Sequence, residues 1–547
     1  MTTHNQDHSG HNHSGPNHSE HDLSGYEGSC FICAGTEGAV PEPSASRRGF
    51  MQAAALSAVA ATAPLSKAKA QMPRLPFGPE DDFIIDAGWV LIETDGELDL
   101  LRDGHVLVRG GVIEDVRAEP FADNLPHLAL PYDLLAPGFI SGHTHCCSAT
   151  PTRGIIEGPR SYQRPLEIVE MLSDDEIDAL TALNLAELLR SGSTTHVEMS
   201  LTLRQAESYV RLAERWGVRG FPGSMIPNTE RLFDIWFRPN DQVLFDAEED
   251  TLKEVAANLA FGKKHMGKGD GRILPMMSPH ACDTHTPATM QAMADAAKEL
   301  GTGLHIHLSQ GSRETEEVKR LWGMSPAQWV ESFGFFANGP VFGAHMTGLD
   351  WETDPDVFNR GGGVYAHCPS GGGAGNGTQP YPEALAAGMN VNIGIDTHSN
   401  DYLEDLKLAV IYGQARWDLK RRLDPDGVPV QRPTVWNAVD GATRVSAKGL
   451  RRDDLGVIKP GAKADMISID VSGMLVGSGA LPPEPLNNLL YANGRMVRTA
   501  MTEGRLQVHD FRFVADDEDA VLRAGGQVVE KIWAQLADEG WFTETAR

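Results

Sequence analysis

Positive charge is scarce in this chain. Its 547 residues carry 47 Lys and Arg against 75 Asp and Glu, a formal net charge of -28. That balance argues against a nucleic-acid-binding surface, which needs clustered cations to meet phosphates. Acidity of this kind serves solubility and says nothing about fold. Cysteine is scarce too, six in all. Cys30 and Cys33 form a Cys-x-x-Cys pair near the N-terminus, and the adjacent Cys146 and Cys147 cannot easily bridge each other. With only Cys282 and Cys368 beyond these, a disulfide-dependent fold is not expected. The apolar run from Gln52 to Ala61 is too short and too weak to serve as a membrane anchor. No solenoid-type repeat recurs. The 41% of hydrophobic residues, over this length, can fill one large core and a smaller unit.

The first 45 or so residues are polar, rich in His, Ser, Gly and Asn. Histidines 4, 8, 11, 13, 18 and 21 could bind metal loosely, or the stretch is a polar leader with incidental affinity. Ser46-Arg47-Arg48-Gly49-Phe50-Met51 then leads into the apolar run, and Ala68-Lys69-Ala70 offers a small-x-small cleavage site. The order resembles a twin-arginine export signal. It implies a cleaved leader over residues 1–70, the twin-arginine translocase as a partner, and a periplasmic or secreted protein that folds before transit. The His-rich leader also allows a periplasmic metal-handling protein, a reading weakened by the expected cleavage.

Between Asp82 and Ala118 apolar and polar residues alternate. Phe83–Ile85, Val90–Ile92, His105–Val108 and Val112–Ile113 read as short strands, punctuated by Gly104 and Gly110-Gly111. From Pro137 the rhythm changes to apolar strands alternating with helical stretches such as Asp175–Arg190 and Pro287–Leu300. Strand ends fall at His143-Thr144-His145, Thr195–Glu198, Gly220–Gly223, Met276–His280, His305–His307, Phe342–His345, Tyr365–His367 and Gly394–Asp396. Eight such units predict a (β/α)8 TIM barrel with its site at the C-terminal strand ends. Leu455–Asp465 returns to a β pattern, followed by Met466–Ile469, Leu490–Val497 and Gly504–Leu506. The expected chain is thus α/β. Its barrel spans 138–455, a small discontinuous β-sandwich domain takes 82–137 and 456–512, and a helical extension follows over 513–547. In that tail, Val521, Leu522, Val528, Val529, Ile532, Trp533 and Leu536 recur near helical spacing.

The chemistry is concentrated at the strand ends. His143 and His145 stand two apart on a strand, so both imidazoles can face one point. Alone, such a pair also fits two polar residues in a loop. His307, His345 and Asp396 end three later strands, and imidazoles with a carboxylate can hold Zn²⁺ or Fe²⁺ with a place left for water. Pro137-Gly138-Phe139 leading to His143-Thr144-His145, His305-Ile306-His307, Gly394-Ile395-Asp396 and Leu455–Asp465 together resemble the metal-dependent amidohydrolase superfamily. The nearest branch is that of cytosine deaminase, S-adenosylhomocysteine deaminase and atrazine chlorohydrolase, and the resemblance runs from about Phe83 to Leu506. It implies that His143, His145, His307 and Asp396 bind one divalent metal, Zn or Fe. It implies that His345 hydrogen-bonds water or substrate, that His280 contacts substrate, and that the chain forms homo-oligomers. Two-metal relatives carry a carboxylated lysine at the end of strand four; Arg272–His280 contains no lysine, so one metal is expected.

One departure bears on the reaction. Relatives that deaminate carry His-x-x-Glu after strand five, where the Glu shuttles a proton to a ring nitrogen; here the stretch is His307-Leu308-Ser309-Gln310. A Gln donates and accepts hydrogen bonds but is no acid near neutral pH. Glu314, four residues on, is expected on a helix away from the metal. His398, in Asp396-Thr397-His398 where relatives have Asp-Gly, either lines the pocket or lies outside it. His367 reads as substrate contact or packing, and His196 and Glu198 as structural. Trp236 and Phe237 read as an apolar wall or plain core. The Gly371–Gly377 run lacks the Lys-Ser/Thr ending of a phosphate loop.

The expected function is hydrolysis of a non-peptide carbon–nitrogen bond of a small molecule. Asp396 serves as general base, His345 stabilises the oxyanion and Gln310 holds the substrate. Amide, urea or carbamate substrates are favoured. The alternatives are a deaminase or dechlorinase of a nitrogen heterocycle, and a catalytically idle barrel that binds a small molecule.

Overall fold

Asp95 and Gly96 both take left-handed backbone angles, φ 53° and 82°. A tight two-residue hairpin requires that geometry. It joins β1 (Phe83–Thr94) to β2 (Glu97–Arg109), and Gly110-Gly111 repeats the device before β3 (Val112–Arg117). The computed structural model describes residues 74–156, 160–238, 240–371, 379–473 and 479–542. All belong to one compact unit, Gln71–Arg547. The leader, the export signal, Cys30, Cys33 and most of the Gly371–Gly377 run lie outside the described residues. Four cysteines lie within them, each buried and free.

Phe83–Ile85 and Val90–Ile92 are parts of one strand, not two. The interval between them is a register shift against β4 (His127–Pro137), at Gly88, where a side chain would strike the Pro131 carbonyl at 2.4 Å. β13 (Met466–Asp470), β14 (Val497–Thr502), β15 (Arg505–His509) and β16 (Arg512–Phe513) complete one eight-stranded sheet, ordered β16-β15-β14-β13-β4-β1-β2-β3. The sheet curls. Ile113 N donates to Ala462 O at 2.8 Å and Ala464 N to Gly111 O at 2.9 Å. N- and C-terminal segments therefore share one core of Phe83, Ile85, Val106, Val108, Met466 and Met501. The two layers of the expected sandwich are continuous through β4 and β13. The strand expected from Leu490 starts only at Val497. Leu489–Tyr491 and Gly494–Met496 are single tight turns, and Gly494 N donates to the Asp401 carboxylate at 2.8 Å.

The barrel strands are β5 (Phe139–Thr144), β6 (Ser193–Ser200), β7 (Arg219–Ile226), β8 (Ser278–Pro279), β9 (Leu304–Leu308), β10 (Val341–His345), β11 (Val364–His367) and β12 (Asn390–Ile393). β5 to β8 and β9 to β12 form two parallel runs, and parallel bridges Met277–Leu304 and Thr144–Asp396 join them at both seams. The eight strands thus close into the TIM barrel that the alternating pattern predicts. Helices flank them; Asp174–Arg190 opens with a capping box between Ser173 and Glu176, and Pro287–Leu300 ends on left-handed Gly301. Arg219, buried at the start of β7, donates to Asp465 at 2.7 Å and Glu503 at 3.0 Å, tying barrel to sheet. The helix Glu518–Asp538 lays Val528, Val529, Ile532 and Leu536 into a cluster with Ile177, Leu180 and Leu183. Among the described residues no helix is long and apolar enough to cross a membrane.

Candidate metal centre

Parallel strands deliver their last residues to one face, and here they deliver imidazoles. Asp396 Oδ1 lies 3.8 Å from His143 Nε2 and 3.6 Å from His145 Nε2; its Oδ2 lies 4.0 Å from His345 Nε2. His145 Nε2 and His307 Nε2 stand 3.4 Å apart. The ligand atoms of His143, His145 and Asp396 fall within 4.8 Å of one another, as do those of His143, His307 and His345.

The far side of each ring decides what these nitrogens can do. His145 Nδ1 meets Met199 O at 2.6 Å, and His307 Nδ1 meets His280 O at 2.9 Å. A carbonyl only accepts, so Nδ1 carries the proton and each Nε2 points its lone pair inward. Two facing lone pairs repel unless a cation lies between them. His143 shares its Nδ1 hydrogen bond with His305 Nε2 at 2.7 Å, while its own Nε2 is buried without a partner. Burial first, then neighbouring imidazoles, keeps His143 and His307 neutral far below the usual histidine range. Burial brings His145 down to about 4. Burial also lifts the Asp396 carboxyl to about 7, against a hydrogen bond from the Thr397 backbone. Neutral imidazoles and a carboxylate around orphaned inward lone pairs are a donor set for a divalent cation, Zn²⁺ or Fe²⁺.

The backbone is strained at the same place. Ser309, His345, Met346 and Asp396 have φ of 47°, 72°, 43° and 62°. Such angles cost about 1–3 kcal/mol each and persist where the surroundings force them.

A cavity of about 180 Å³ opens onto the cluster, touching His145, His307, His345 and Asp396. His280, Gln310 and His398 line it as well, with Tyr162, whose hydroxyl hydrogen-bonds the His398 ring. Trp236 is on its wall, edge-on to His280 at 5.1 Å, whereas Phe237 is exposed to solvent. His367 is not among the lining residues. It is buried against Tyr381, ring centroids 4.9 Å apart, and its Nδ1 bonds to Gln379 at 2.9 Å. His196 bonds to Tyr209 and the Ser193 carbonyl; Glu198 accepts from Thr144, Cys146 and Ser200. Both brace the strand ends from outside the cavity.

Glu314 is on a helix, as expected, and is not among the cavity-lining residues. It is on the helix Ser312–Trp322 but turned inward and buried, accepting from Gln310 N at 2.8 Å and Cys282 N at 3.2 Å. Burial and the nearby Asp283 push its carboxyl upward. Three participants had escaped sequence reasoning: the Met199 carbonyl, His305 and Tyr162. His305 had a signal, since it repeats the His-x-His spacing of β5. Tyr162 had none, because its approach depends on how the loop after β5 folds back.

These features define a metal-dependent hydrolase, and comparison with known proteins gives its family. Residues 134–507 match the model of the amidohydrolase family. A 5-methylthioadenosine/S-adenosylhomocysteine deaminase of Desulfitobacterium hafniense is 30% identical over 412 residues, 72% of this chain and 85% of that protein. A 5'-deoxyadenosine deaminase of Methanosarcina mazei is 26% identical, covering 83% of this chain and 99% of its own. Among solved structures, zinc-complexed atrazine chlorohydrolase from Arthrobacter aurescens superposes with TM-score 0.68 at 18% identity, over 82% of this chain and 100% of that one. A zinc-bound adenosine deaminase from Xanthomonas campestris gives 0.65 at 21% identity, over 83% and 99%. The chain belongs to the amidohydrolase family and is a hydrolase of carbon–nitrogen bonds other than peptide bonds.

Proposed function

We propose that the enzyme cleaves an amide-, urea- or carbamate-like bond in a small molecule, with His143, His145, His307 and Asp396 holding one divalent cation. The observation that carries this is Gln310. It lines the cavity three residues after His307, so the group there is a neutral amide. It suits a substrate carbonyl or amide as hydrogen-bond partner and cannot supply a proton to an aromatic nitrogen. The cation, when bound, supplies Lewis-acid activation of water and of the substrate carbon. Asp396 takes the water proton on a carboxylate oxygen and passes it to the leaving nitrogen. His345, on β10 beside Asp396, donates a ring N–H to the developing oxyanion. His280 and His398 orient the substrate.

A screen of amides, ureas, carbamates and aminated heterocycles, followed by Gln310→Glu and Gln310→Ala on the best substrate, tests this. Gln310→Glu should lower native turnover, and Gln310→Ala should raise KM more than it lowers kcat. A faster Gln310→Glu enzyme with a new pH dependence would show that the reaction wants a proton there. That outcome belongs to the second reading, deamination or dechlorination of a nitrogen heterocycle. The names of the deaminase relatives favour that reading, as does Glu314, a buried acid hydrogen-bonded to the Gln310 backbone.

We also propose export through Arg47-Arg48, with a mature N-terminus near Gln71. Replacing both arginines by lysine should hold the protein in the cytoplasm. A periplasmic protein still starting at Met1 would refute the cleavage.

A further inference from the structure

Resting on the small-molecule reading above, we infer that the substrate carries a compact alkyl or aryl substituent seated on the β6/β7 side of the cavity, and that a polyhydroxylated substituent such as ribosyl is rejected there. That side is built from carbon. Leu201 follows β6, Met225 is on β7, Leu166 comes from the helix Gln163–Glu170, and Leu232, Phe233 and Trp236 come from the helix Thr229–Trp236. Leu166, Leu201, Met225 and Leu232 are 8%, 4%, 2% and 4% exposed and form a hydrophobic cluster of their own, with Phe233 and Trp236 packed against it. Trp236 reaches from this wall to the His280 ring, so wall and metal end adjoin within one cavity.

Most polar lining groups lie elsewhere. His280 follows β8, Gln310 follows β9, and Thr397 and His398 follow β12. Among the described residues the polar lining groups of the β6/β7 side are Tyr162, whose hydroxyl is taken up by the His398 ring, and Thr229. The Thr229 hydroxyl lies 3.3 Å from both the Leu201 carbonyl and the Glu170 carboxylate, so its donor is already used. A ribosyl group placed here would bring several hydroxyls out of water against carbon, with the Thr229 oxygen as the one acceptor left to set against them. An alkyl or phenyl group would exchange water for matching apolar surface. Volume points the same way. The cavity holds about 180 Å³, below the roughly 300–1,000 Å³ of sites for drug-sized ligands.

The test measures binding and turnover separately on the metal-loaded enzyme. Two ligand pairs keep the head group and change only the substituent: butylurea against (3,4-dihydroxybutyl)urea, and 9-propyladenine against adenosine. Calorimetric Kd should favour the apolar member of each pair by about 10- to 100-fold, the discrimination an apolar pocket provides. Toluene, which has no head group, should bind and be displaced by butylurea. Leu232→Asn should narrow the preference about tenfold, with metal content and Tm confirming a folded protein. Phe233→Ser, at a partly exposed position, repeats the measurement if Leu232→Asn fails to fold. Equal or reversed affinities in both pairs, or no toluene binding, would overturn the inference. A clear apolar preference without hydrolysis of any urea, amide or carbamate would keep the wall as described and remove the proposed reaction instead.

Discussion

The curled sheet and the barrel mouth are built on opposite principles. In the sheet and its seam with the barrel, charge is buried only where it is matched. Arg219, 1% exposed, meets Asp465 and Glu503, and Arg272 adds a contact to Glu503 at 2.8 Å. Left-handed backbone in this region sits at turns, as at Asp95, Glu503 and Asp510, and at Asp103 within β2, where the pairing with β1 passes over Gly88. At the barrel mouth, ring nitrogens of His143, His280 and His345 are buried without partners, facing lone pairs sit 3.4 Å apart, and four residues hold strained φ angles. The first region pairs its buried charges from its own residues, though Thr502 Oγ1, Gln507 Oε1 and His509 Nδ1 are buried there without partners. The second is satisfied only when something else arrives, and that is the physical meaning of calling it a site.

Breaking the mouth should silence the enzyme and leave the fold. His307→Ala or Asp396→Asn should lower kcat/KM by at least about 10³-fold, the order lost when a charge-stabilising group is removed. Both should strip the metal, while Tm in chelator matches that of the chelated parent. Breaking the sheet should do the reverse. Arg219→Met leaves Asp465 buried and unpaired and should destabilise by about 3–5 kcal/mol in urea unfolding, with kcat per folded molecule unchanged.

His305 sharpens the comparison. It touches no ligand atom of the cluster except through His143, so His305→Phe should weaken metal affinity about 10- to 100-fold, read by chelator competition. His305→Gln, which keeps a hydrogen-bonding group, should recover part of it.

The smallest effect concerns Glu170, a carboxyl outside the cavity. Burial lifts it to about 7 despite hydrogen bonds from Thr202 and Thr229. Its folded value lies above its unfolded one, so the folded state holds the extra proton. Stability therefore falls as pH rises from about 4.5 through about 7 and stays lower above. Glu170→Gln should flatten that slope, stabilising the protein by about 1–3 kcal/mol at pH 8 and little at pH 4.

The alternation of apolar strands and helices was enough to read the barrel, because period-two runs ending in polar residues leave few other solutions. The strand ends at His143-Thr144-His145, His307, His345 and His367 were legible for that reason, whereas β6 and β7 run on past Glu198 and Gly223 to Ser200 and Ile226. The continuity of β1 and the true start of β14 were not legible: Gly88 and Asn493-Gly494 break the pattern for reasons of close approach and side-chain capping that only tertiary contacts reveal. His143, His145, His307, His345 and Asp396 were legible as a convergent set. Glu314 was legible on its helix but its burial was not, because sequence gives the helix and not which face turns inward. His367 looked like its neighbours at a strand end, yet Gln379 and Tyr381 claim it. Of the apolar wall only Trp236 was legible as a candidate; nothing in the sequence set Leu166, Met225 and Leu232 apart until the cavity showed what they face.

Metal titration of the stripped enzyme tests the central claim most directly. Zn²⁺ or Fe²⁺ is added to chelator-treated protein while hydrolysis of the best carbon–nitrogen substrate is followed. We expect activity to rise linearly and level at about one equivalent per chain, as one closed set of donors requires. Activity that ignores the metal, or that needs a second equivalent, would contradict a single centre built from His143, His145, His307 and Asp396.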